Sequence, residues 1–162
     1  MRRIAITVAI FVVLLWGLNQ VRSRLGLFEN MKAGVIETSA PVSVDVARIR
    51  CPIPLPDSAT NIQYVVWSLW RSSQTFVRFE APVSDCLQHA ITLLQGNSGI
   101  IVQTNITGPL VMPFVLSPKD VNITWFDLPK FSAGVSFGMT NAHAPKISVD
   151  TNRGCFYYEL ND

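Results

Sequence analysis

Two histidines, three cysteines and a charged fraction of 15% leave this 162-residue chain little material for catalysis. No Gly-x-Ser-x-Gly elbow, phosphate-binding glycine loop or His-Glu-x-x-His helix occurs, which removes the common signatures of hydrolases, nucleotide-binding proteins and zinc peptidases. An excess of one charge is missing too. Setting Arg2 and Arg3 aside leaves eleven basic residues against eleven acidic ones, and from Val44 onward the count is eight against nine. A surface that tracks phosphates needs clustered Lys and Arg, so no nucleic-acid partner is expected. Cys51, Cys86 and Cys155 show no paired spacing. They allow one disulfide with a leftover thiol, in three pairings, or three small apolar side chains.

What the chain does have is a long apolar run. Arg2 and Arg3 precede an unbroken stretch from Ile4 to Leu18, which Asn19, Gln20 and Arg22 close. At about 1.5 Å per residue this stretch covers roughly 22 Å of a hydrocarbon core about 30 Å thick. Extended to Val21, and with its arginines snorkelling, it is long enough to span. A cleaved signal peptide and a buried core helix are the competing readings. Gly17-Leu18-Asn19-Gln20 is a poor cleavage site, and Ile4–Leu18 lacks the polar stripe of a soluble helix. The expectation is an uncleaved single-pass signal-anchor in contact with membrane lipid, with the rest of the chain outside the cytoplasm. The implied organisation is a tail at 1–3, the anchor at 4–21, a juxtamembrane leader at 22–43 and one domain at 44–162.

Within the domain, the alternation over Pro41–Ile49 predicts a first strand. Cys51-Pro52-Ile53-Pro54-Leu55-Pro56 predicts an extended connector, since three prolines supply no donors. Asn61–Trp70 and Thr75–Ala81 read as a hairpin around a polar break at Arg71–Gln74. In it Val77, Phe79 and Ala81 face the core, while Arg78 and Glu80 lie on a wetter face. A helix capped by Ser84 follows, with Leu87, Ala90, Ile91 and Leu94 as its apolar stripe over Val77 and Phe79, and Gly96 as its stop. Further strands are expected at Gly99–Ile106, Leu110–Leu116 and Val121–Phe126. A last hairpin, Ile147–Asp150 and Cys155–Glu159, turns through Gly154. Long helices do not alternate with strands, so the class is α+β: a small, mainly antiparallel sheet, one principal packed helix in a β-β-α unit, and C-terminal hairpins.

Candidate chemistry is sparse. Cys86-x-x-His89 on the helix, joined by His143 and Cys155, is the nearest approach to a metal site, but tight ligand pairs are lacking, so no metal or other cofactor is expected. An exported hydrolase using His89 or His143 with a nearby cysteine or carboxylate is the enzymatic alternative. Glu80 is expected to pair with an arginine across the sheet. Of the aromatic residues, Trp67, Trp70, Tyr157 and Tyr158 combine an apolar body with a polar tip and form the candidate binding platform, with core packing as the competing reading.

Three segments resemble small bacterial envelope proteins of no established activity. They are Pro56-x-Ser58-Ala59-x-Asn61-Ile62, Phe76-Val77-Arg78-Phe79-x-x-Pro82 and Val149-Asp150-Thr151-x-Arg153-Gly154-x-x-Tyr157-Tyr158. The resemblance implies an N-terminal membrane signal and a single α+β domain, and carries over no catalytic residue. The sequence as a whole leads to a membrane-anchored, non-enzymatic domain that binds an envelope partner.

Overall fold

Antiparallel pairing, expected for most of the sheet, organises every strand among the described residues. The computed structural model describes residues 34–38, 40–69, 72–96, 99–112, 123–139 and 144–162, all of them within the unit Gly34–Asp162. Strands β1 (Gly34–Glu37), β2 (Thr60–Leu69), β3 (Ser72–Glu80), β4 (Ile100–Thr107), β5 (Ala133–Met139), β6 (Lys146–Asp150) and β7 (Cys155–Asn161) form one sheet. Its order is β1-β2-β3-β7-β6-β5-β4, with every neighbouring pair antiparallel. Two meanders, β1 to β3 and β4 to β7, therefore meet where β7 pairs with β3. Helix α1 (Val44–Ala47) is a single turn, and helix α2 (Val83–Leu94) carries the chain from β3 to the distant β4 edge. The expected α+β class is thus observed. Among the described residues no helix is long and apolar enough to cross a membrane, and the expected anchor at 4–21 lies outside them.

Several local expectations are corrected. Val44–Ala47 is helical, not the middle of a strand: its carbonyls close local bonds to Arg48 and Cys51, and only Val42 bridges to Ile62. Gly34–Glu37, placed in the leader by sequence, pairs with β2 as an edge strand. Strand β3 begins at Ser72, which pairs with Leu69, so most of the anticipated polar turn belongs to the ladder. Leu110–Met112 and Ile123–Phe126 are not strands, while β5 went unanticipated.

Helix α2 starts behind Pro82, whose carbonyl accepts from Asp85 and Cys86, and Ser84 makes no capping bond. Proline suits this boundary because its fixed φ is already close to helical. Asp85 sits in the first turn, where the helix dipole favours its charge, and its carboxylate accepts from Ser58 Oγ at 2.6 Å. The buried stripe is Cys86, Ala90 and Leu94, spaced by four, while Ile91 is exposed. The stripe is rotated from the expected one because the proline-rich connector lies along the helix, with Ile53 and Leu55 turned inward between outward prolines. Val77 and Phe79 do lie in the core that receives α2, together with Ile147, Val149 and Phe156.

The opposite face is not wet. Val65, Trp67, Phe76, Cys155 and Tyr157 are covered there by Phe126, Leu128 and Phe131. The sheet is a middle layer with a core on each side, so β3 buries both its aliphatic and its alternate residues. Fully burying a large aromatic or aliphatic side chain contributes about 1.5–3 kcal/mol.

Two ladder irregularities share one tripeptide. The register shifts between Thr60 and Gln63 and again between Gln103 and Ile106. At each shift stands Thr-Asn-Ile, and the asparagines, Asn61 and Asn105, have φ of 49° and 59°. Asparagine tolerates the left-handed region better than other side-chain-bearing residues, which fits it to a bulge.

Candidate functional site

Of the residues singled out from sequence, Trp67 and Tyr157 share the core opposite α2, and Tyr158 lies in the core on the α2 side. Trp67 and Tyr157 are buried and Tyr158 nearly so, so none presents a ring face to a ligand. Trp67 stacks on Phe76 with ring centroids 5.5 Å apart, and its indole N–H is sealed without a partner. Trp70 and His143 lie outside the described residues. The side chains of the other three are buried in the cores on the two faces of the sheet.

Cys86 and His89 are separated by what they touch. Cys86 is buried, with its thiol near the carbonyls of Ala81 and Gly154 at 3.7 and 3.8 Å, and burial pushes it up to about 12. His89 lies edge-on to Phe79 and Phe156, with centroids 5.7 and 5.4 Å away. Its Nε2 is enclosed without a hydrogen-bond partner. Burial lowers its pKa, opposed by the bond to the Pro54 carbonyl, so it is a neutral pin between helix, sheet and connector. Cys51, half-buried, is raised by burial to about 11, and all three cysteines are unpaired. Among the described residues no group of three or more His, Cys, Asp or Glu could hold a metal ion.

The polar chemistry is concentrated where spacing gave no hint, on the face opposite α2. Register sets Arg78 of β3 against Tyr157 of β7 and Glu80 against Cys155, so four functional groups share one patch of the sheet. Asp127, just ahead of a single 3₁₀ turn at Leu128–Lys130, comes down onto them. Its Oδ1 accepts from Tyr157 Oη at 2.7 Å and from Arg78 Nε at 3.1 Å, and its Oδ2 from Arg153 Nη2 at 2.9 Å. Arg78 Nη2 also donates to Glu80 Oε1 at 2.7 Å and to Cys155 Sγ at 3.1 Å, while Asn61 donates to Glu80 Oε2 at 2.6 Å. Glu80 therefore has its arginine, but from its own strand two residues back, not across the ladder. Arg153 Nη1 returns to Tyr157 Oη at 3.1 Å.

Asp150, itself fully buried, aims Arg153. Its carboxylate accepts from the backbone N–H groups of Ser132, Asn152 and Arg153 at 2.9, 3.0 and 3.1 Å, which fixes the β6–β7 turn. Gly154 completes that turn at φ +62°, and a Cβ there would stand 2.5 Å from the Ala81 carbonyl oxygen.

The electrostatics follow from this wiring. Burial alone would raise the pKa of Asp127, but the Tyr157 and Arg153 bonds and the two guanidinium charges outweigh it and hold it below the ordinary carboxylate range. Burial also opposes ionisation of Glu80, and Asn61 and Arg78 again win, lowering it. Tyr157 is pushed upward by burial and by Asp127. Burial raises Cys155 despite Arg78, so its buried thiol is no ready nucleophile. Both carboxylate oxygens of Asp127 are bonded to neighbours, and the cluster ties the two meanders together.

A pH dependence follows. Free Asp and Glu titrate near about 3.9 and 4.3. Because the folded values of Asp127 and Glu80 lie lower, the unfolded chain binds more protons through that window, and this stability is lost as pH falls through it. Urea melts at about pH 6 and about pH 3 are expected to differ strongly in midpoint, and the difference should shrink in Asp127→Asn. An unchanged difference would show that Asp127 does not carry it.

The exposed apolar surface lies elsewhere. At the open end of the sheet Ile100, Ile101 and Val102 of β4 are 41%, 46% and 51% exposed. A hollow of about 250 Å³ beside them is lined by Ile101, Gln103, Ser136, Gly138, Met139 and Lys146, among others. A second, of about 470 Å³, lies between Val42, Val46, Ile49, Arg50 and Tyr64. No protein-family model, curated protein or solved structure matches the chain.

Proposed function

We propose that this is a single-pass, membrane-anchored domain that acts outside the cytoplasm by binding another envelope component, without catalysis. Residues 4–21 supply the anchor in contact with lipid, and Gly34–Asp162 supplies the binding domain. The observation that carries the reading is the row of exposed aliphatics on β4. A strand that is terminal among the described residues and carries three adjacent exposed aliphatic side chains is a ready acceptor for another strand. The tied polar cluster supports it from the other side, because it makes the sheet a stiff platform.

The test pairs fractionation with capture. Full-length protein should stay with membranes through a salt wash, and a partner cross-linked to wild type in intact cells should be lost from Val102→Lys. Release into the soluble fraction would overturn the anchor, and equal recovery of the same partner with the variant would overturn β4 as the binding surface.

A further inference from the structure

The residues around α1 build a second surface, at the β1–β2 edge of the sheet and away from β4. Ala47 is fully buried and closes the turn after α1, its carbonyl accepting from the backbone N–H groups of Arg50 and Cys51 at 3.0 and 2.7 Å. A bridge from Val42 to Ile62 fixes the chain on the other side. The hollow of about 470 Å³ between them is walled by Pro41, Val42, Val46 and Ile49, and its size is that of a small-molecule site. Val46 and Ile49, three residues apart, are 56% and 81% exposed.

Two polar side chains at this hollow are unspent. Tyr64 is 3% exposed, yet its hydroxyl makes no hydrogen bond among the described residues, where buried polar groups are almost always paired. Its backbone N–H is satisfied, by Thr38 Oγ1 at 3.1 Å. Arg50 forms no ion pair among the described residues, whereas Arg48 is taken by Asp45 and Asp57. The two stand close together: burial and then Cys51 raise the pKa of Tyr64, and the Arg50 charge opposes them. A guanidinium and a phenol O–H offer donors and a single positive charge, which suits a singly charged acceptor. A phosphate monoester, with about two charges at neutral pH, would lack its second cation.

We infer that this hollow binds an aliphatic monocarboxylate, its chain against Val42, Val46 and Ile49 and its head group on Arg50 and Tyr64. The site goes beyond the β4 reading and stands whether or not that strand takes a partner.

Purified full-length chain, titrated with octanoate isotope-labelled at its carboxyl and followed by NMR against a protein-free blank, tests this. Octanoate should bind saturably and about tenfold more tightly than octanol, which has the chain without the charge. Butyrate, which loses most of the apolar contact, should also bind about tenfold more weakly. Arg50→Gln should weaken octanoate about tenfold and Tyr64→Phe about fivefold. Circular dichroism should be unchanged in both, since one side chain is exposed and the other loses only an unpaired oxygen. Val102→Lys, which alters the β4 surface, should leave octanoate binding as it is. Absence of saturable binding, equal binding of octanoate and octanol, or binding untouched by both Arg50→Gln and Tyr64→Phe overturns the site. Tighter binding of octyl phosphate than of octanoate overturns the carboxylate as its head group.

Discussion

Arg78→Met should lower the free energy of unfolding by about 3–5 kcal/mol, the cost of leaving buried charge without its partner. Arg78 is 7% exposed. It gives Asp127 a bond through Nε and Glu80 another through Nη2, in diverging directions. Methionine fills the volume but takes one donor from each carboxylate, leaving Asp127 with Tyr157 and Arg153 and Glu80 with Asn61, so both pKa values should rise toward the ordinary range. Arg78→Lys should recover little, because one ammonium cannot hold both carboxylates in the fork geometry of a guanidinium. Urea denaturation of all three proteins measures this, and a loss below about 1 kcal/mol in Arg78→Met would mean that the cluster is decorative.

The second large effect is expected at a residue with no side chain. A Cβ on Gly134 would overlap the carbonyl oxygen of Val149 and stand 2.9 Å from the Phe131 ring. Neither can yield cheaply, since Val149 pairs with Val135 in the ladder and Phe131 is packed in the core opposite α2. Gly134→Ala should cost about 3 kcal/mol, the upper end for overpacking. Gly138→Ala, four residues along the same strand with open space around its Cβ, should gain about 0.5–1 kcal/mol. Thermal melts of the pair give opposite signs if close approach, and not strand propensity, decides.

The strong local signals in the sequence were legible. The β2–β3 hairpin, helix α2 and the β6–β7 hairpin follow from alternation, helical spacing and Gly154. Short elements were not. Gly34–Glu37 has too few residues to show a period, and α1 is one turn whose Val-Asp-Val-Ala reads equally as alternation. Strand β5 escaped because two glycines, Gly134, which close packing requires, and Gly138, break the apolar pattern that marks a strand. The buried face beneath Asp127 was the costliest omission. Arg78 and Glu80 alternating with Val77, Phe79 and Ala81 suggested solvent, whereas the tie brings Asp127 and Arg153 from 49 and 75 positions beyond Arg78 in the chain. One clue was on the page: Asn61 and Asn105 sit in the same Thr-Asn-Ile, and each opens a bulge. The other was the quoted run Asp150-Thr151-x-Arg153-Gly154-x-x-Tyr157, which proves to be the turn that aims Arg153 at Tyr157.

The placement of β7 between β3 and β6 dictates an order of events during synthesis. Neither half of the sheet can be sealed until residues 155–161 have emerged, so a nascent chain carries two unfinished ladders, each showing bare backbone. A product stopped before Cys155 would have nothing to zip them together, and quality-control proteases should clear it rapidly while the finished polypeptide persists.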